Sequence, residues 1–141
     1  MNSGGAITVE LVSAAGPRAV PSGLGGLKLQ TTGQPNPARA DILLLPGAAG
    51  PVDGDAHDAV PAVLARETAG ELPRYAAEVL ARPGAIVATV CGGSLVLAME
   101  GLLTGRPAVT HHMGMGVLET AGAVPVKARV VDDGIWCPAA G

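Results

Sequence analysis

Ala85-Ile86-Val87-Ala88-Thr89-Val90-Cys91-Gly92-Gly93-Ser94-Leu95-Val96-Leu97-Ala98-Met99 decides the fold of this chain. An apolar, β-branched run stops at a cysteine, two glycines follow, and a helix-forming run begins. The order is strand, nucleophile, tight turn, helix, by which an α/β enzyme holds a reactive side chain at the tip of a sheet. Glycines beside the cysteine allow the sharp turn and leave room around the sulfur.

The segments on either side extend the pattern. Asp41-Ile42-Leu43-Leu44-Leu45 is a continuous apolar run, which predicts a parallel strand buried on both faces. It ends in Pro46-Gly47-Ala48. Glu71 to Ala81 carries Leu72, Tyr75, Ala76, Val79 and Leu80 at helical spacing, and Pro83-Gly84 stops it. Asp53 to Leu64 reads as a loop with one helical turn. Ser94 to Leu103 reads as a helix, Ala108-Val109-Thr110 as a short strand, and Gly114 to Ala121 as a weak helix. Ala6 to Ser13 alternates and predicts a strand; Leu27-Lys28-Leu29 predicts a short edge strand. Val124 to Val131 and Ile135 to Cys137 predict two strands joined by a hairpin turn at Asp132-Asp133-Gly134. Strands alternating with helices give an α/β fold with a mainly parallel sheet, expected as a single domain over 1–141.

Composition narrows the function. The net charge of -3 at pH 7 comes from scattered residues, with no basic patch to suit nucleic acid or an anionic membrane. Tyr75 and Trp136 are the only aromatics and Phe is absent, so there is no stacking platform for bases. No apolar run approaches the ~18–20 residues that span a bilayer. The N-terminus shows no basic stretch before an apolar one, so a cytoplasmic location is expected. The two cysteines, Cys91 and Cys137, are not expected to form a disulfide there, and Cys137 reads as core. No Cys/His cluster has zinc-ligand spacing, so neither metal nor cofactor is expected.

In an open parallel sheet, ligands bind outside the carboxyl ends of the strands. Pro46-Gly47-Ala48, Cys91-Gly92 and Thr110-His111 all fall there. Cys91 would be the nucleophile, its thiolate favoured by the helix N-terminus. Backbone N–H groups of Gly47, Ala48 and Gly92 would hold a developing oxyanion. His111 would act as base, acid or orienting group. Plainer readings stand beside these: a buried cysteine is often a small hydrophobe, Pro-Gly is often only a turn, and a histidine at a strand end is often structural.

At these residues the chain resembles the ThiJ/PfpI superfamily, with its class I glutamine-amidotransferase-like, flavodoxin-like fold. The resemblance rests on Leu44-Leu45-Pro46-Gly47, on Val90 to Ala98 with Gly101 to Arg106, on Val109-Thr110-His111, on Leu118 to Ala123, on Val130 to Gly134, and on Ala139-Ala140-Gly141. It is nearest the isocyanide hydratase branch and the amidase-like sensor domains of AraC-type regulators. It implies a three-layer sandwich, here truncated at both ends: the first strand–helix unit and a C-terminal covering helix have no counterpart. It implies that Cys91 is the elbow cysteine, that Ala48 stands where a glycine N–H usually serves, and that His111 is the neighbouring histidine. The carboxylate usually delivered to that cysteine has no counterpart, and Gly92 replaces a usual hydroxyl residue. A sheet lacking a strand and a covering helix would expose an edge and an apolar face, so a homodimer is expected. The implied function is hydratase or lyase chemistry on a small electrophilic substrate, an isocyanide or reactive carbonyl. Two alternatives are an inactive ligand-sensing or dimerising module and a redox-sensing cysteine without turnover.

Overall fold

Ile86–Val90 (β4) is the middle strand of the sheet that carries the elbow. It pairs in parallel with Ile42–Leu45 (β3) on one side and with Trp136–Ala139 (β7) on the other. The structure is a computed structural model that describes residues 6–23, 25–54 and 56–141. Two compact units divide the chain, Met1–Pro35 and Asn36–Gly141.

In the first unit, Ala19–Pro21 (β1) pairs antiparallel with Lys28–Gln30 (β2). The alternating run from Ala6 forms no strand; a single bridge joins Val12 to Gly33. Its apolar set faces solvent, with Ile7, Val9 and Leu11 all exposed, so the alternation has no core to serve. The buried Thr31 hydroxyl ties this unit together by donating to the Gly16 and Arg18 carbonyls.

The second unit holds the α/β layer. Val60–Thr68 (α1), Leu72–Leu80 (α2), Gly93–Met99 (α3) and Met115–Thr120 (α4) are its helices. Pro107–Ala108 (β5) and Val124–Pro125 (β6) form a short parallel pair. Period-two geometry places Leu43, Leu45, Val87, Thr89, Trp136 and Pro138 on one face of the sheet, and all are buried. Leu95 to Ala98 of α3 and Ala76 and Val79 of α2 join them in one core.

The opposite face carries Ile42, Leu44, Ile86, Ala88, Val90, Cys137 and Ala139, none of them fully buried. Ile42 and Leu44 are each 60% exposed, so β3 is buried on one face only, against the sequence expectation. Cys137 is half-buried on that face rather than core.

The remaining differences are local. The ambiguous stretch after Asp53 becomes the nine-residue helix α1, begun by Pro61, whose fixed φ suits a first turn. Helix α3 stops at Met99 because Gly101 turns into positive φ. The strand expected from Val124 is only two residues long. Beyond it, the turn at Asp132-Asp133-Gly134 does form: Asp133 N–H donates to the Trp136 carbonyl, and Val131 N–H to the Pro138 carbonyl, both in antiparallel sense. An ion pair at 2.7 Å from Arg106 to Asp133 fastens that turn beside β5. Among the described residues no helix is long and apolar enough to cross a membrane.

Candidate functional site

Cys91 takes φ 53°, the only positive φ at a non-glycine position among the described residues. A side chain there costs about 1–2 kcal/mol and persists only when its surroundings dictate it. They do so on three sides. The Cys91 N–H donates to the Ala139 carbonyl of β7 at 3.0 Å. The Cys91 carbonyl accepts the Thr110 hydroxyl at 2.5 Å. Ser94 N–H closes the turn back to the same carbonyl at 3.4 Å.

Close packing explains the glycines. A Cβ at Gly47 would lie 2.7 Å from the Cys91 Cβ, and one at Gly93 would lie 2.7 Å from the Leu45 carbonyl oxygen. The loop after β3 and the elbow after β4 therefore meet only because both carry glycine there. Ala48 follows at once, and its nitrogen lies 3.8 Å from the position a Gly92 Cβ would take. Among the described residues neither the Ala48 nor the Gly92 N–H donates a hydrogen bond within the protein.

Beneath the elbow runs a buried hydroxyl chain. Thr89 and Ser94 oxygens lie 2.7 Å apart, and Ser94 donates to the Val109 carbonyl at 2.9 Å. With the Thr110 bond, it ties β4, α3 and the segment after β5 together behind the cysteine. Leu64 of α1 closes the other side, its Cδ2 3.0 Å from where a Gly92 Cβ would stand.

The structure places Gly47 against Cys91, and Ala48 beside Gly92. His111 is adjacent through Thr110, but no hydrogen bond joins it to Cys91 among the described residues. Its Nδ1 accepts the Met113 N–H at 3.4 Å and caps a short 3-10 turn over His112–Gly114. The neutral ring then carries its proton on Nε2. Sequence reading placed Thr110 at this end of the sheet without giving it a role, and missed Thr89, Ser94 and Leu64. The signal for Thr89 was a hydroxyl at an inward position of a strand otherwise apolar.

The chain's structural neighbours are ThiJ/PfpI/DJ-1 superfamily proteins, in keeping with the resemblance. A ThiJ/PfpI family protein from Pseudomonas syringae superposes with a TM-score of 0.70 and 28% identity, over 95% of this chain and 50% of that one. A two-domain protein from Anabaena variabilis with DJ-1/ThiJ/PfpI-like and ferritin-like domains gives a TM-score of 0.76 at 19% identity, over 99% of this chain and 38% of that one. In sequence, a 48-residue stretch is 56% identical to isonitrile hydratase from Pseudomonas putida, covering 34% of this chain and 21% of that protein. The chain therefore spans half or less of these relatives. No protein-family profile matches it.

Proposed function

We propose that the chain acts as a ThiJ/PfpI-type cysteine enzyme of the hydratase class, with an isonitrile or reactive carbonyl as electrophile. The observation that carries this is the left-handed backbone at Cys91 beside two unspent N–H groups. Strained, over-determined backbone clusters at functional sites, which supports reading this strand–helix junction as one. The 48-residue stretch that is 56% identical to an isonitrile hydratase supports the choice of hydratase chemistry.

For an isonitrile, the Cys91 thiolate adds to the terminal carbon and forms a C–S bond. That carbon takes a proton, for which the His111 Nε2–H is the assigned donor. Water then adds across the C=N bond of the resulting thioimidate, its hydroxyl to carbon and a proton to nitrogen; the C–S bond breaks with the electron pair returning to sulfur, and the remaining hydroxyl proton goes back to His111 Nε2. The net change adds one water and leaves an N-substituted formamide. Where a carbonyl is the electrophile, the Ala48 and Gly92 N–H groups would hold the oxyanion.

Cys91→Ala abolishes formamide production from an alkyl isonitrile while the protein still melts cooperatively. Turnover that survives this change would sink the assignment. His111→Gln slows turnover by about 10²–10⁴-fold if the histidine transfers a proton in the transition state. A rate within twofold of the parent would leave it a capping residue only.

A further inference from the structure

A cavity of about 770 Å³ opens beside the elbow. It shares Thr110 and Gly141 with the site: Thr110 grips the Cys91 carbonyl, and a Cβ at Gly141 would stand 2.8 Å from the Cys91 Sγ. One wall is apolar, from Val109, Met115 and Val126. Another carries Lys127 and Arg129. Neither cation has an ion pair or side-chain hydrogen bond among the described residues. Glu119 is the one acidic side chain on the lining, and it too is unpaired.

The segment bearing the two cations is strapped at both ends. Val126 N–H donates to the Ala108 carbonyl at 2.8 Å, two residues before Thr110. Ala140 N–H donates to the Arg129 carbonyl at 2.8 Å, directly before Gly141. The segment with the cations is thus tied to near neighbours in sequence of the two residues that bring the cavity to the thiol.

We propose that this cavity receives small organic acids, with the carboxylate at Lys127 and Arg129 and the apolar body along Val109 and Met115. An electrophile carrying a carboxylate is then the substrate class of the site, which rests on the reading of Cys91 as nucleophile. The chemistry of the wall argues for it. Two unpaired cations outweigh one carboxylate side chain, guanidinium and ammonium both bind carboxylates, and His112 is the one further titratable side chain on the lining.

Iodoacetate and iodoacetamide separate the two claims, being near-isosteric alkylating agents with and without a carboxylate. Rates are read at Cys91 in a Cys137→Ser background. The iodoacetate-to-iodoacetamide ratio should fall about fivefold in Lys127→Gln/Arg129→Gln, since an exposed ion pair is worth about 0.2–1 kcal/mol and tenfold is 1.4 kcal/mol. Glu119→Gln should raise it. An unchanged ratio in the double variant overturns the proposal. If Cys91 resists even iodoacetamide, the nucleophile reading fails, and binding decides the cavity: in Cys91→Ser protein, hexanoate should bind more tightly than hexanamide, with the preference lost in the double variant. Equal binding of acid and amide overturns the proposal on its own.

Discussion

At Cys91 the backbone holds φ 53° because the strand on one side and the threonine on the other leave it no alternative. Cys91→Gly should therefore be more stable than Cys91→Ala by about 1 kcal/mol, because glycine enters the left-handed region freely and alanine does not. Urea titration of the two variants checks this; equal midpoints would mean that the elbow is not strained. Thr110 is the residue that fixes the elbow's orientation. Thr110→Val keeps the shape and leaves the Cys91 carbonyl only the long bond from Ser94 N–H, costing about 0.5–1.5 kcal/mol. It should also slow Cys91 alkylation, whereas Thr110→Ser should retain the parent rate. Loss of stability with an unaltered alkylation profile in the valine variant would reduce Thr110 to a packing role.

Strand β3 shows what one element can and cannot declare. Leu44 is 60% exposed and Leu45 1% exposed, although they are neighbours of the same type. Leu45→Ala should cost about 2–5 kcal/mol, and Leu44→Ala no more than about 0.5 kcal/mol, read from denaturant midpoints. A run apolar at every position has no period, so sequence reading could not tell a one-faced strand from a two-faced one. The elbow was legible because its backbone demands glycines at fixed places beside the cysteine. Helix α1 was not, since it buries no residue completely and so lacks a clear apolar stripe. Nor was the hydroxyl chain, which ends on the Val109 carbonyl, 15 residues beyond Ser94 in sequence.

Across the larger unit, the core from β3, β4, β7 and the helices is continuous, and Trp136 at its centre is fully buried. It is also the chain's single tryptophan, so its emission reports on that core. Unfolding followed by Trp136 emission and by the rate of Cys91 alkylation should give one coincident midpoint. Separate midpoints would show that the elbow opens locally.

The bond from the Cys91 N–H to Ala139 carries a consequence in time. Parallel pairing of β4 with β7 closes a long loop, and such pairings form late and slowly. A nascent chain with β4 and α3 already made, but β7 not yet docked, lacks the bond that holds the Cys91 N–H. The left-handed elbow is therefore completed only when the last strand of the sheet arrives.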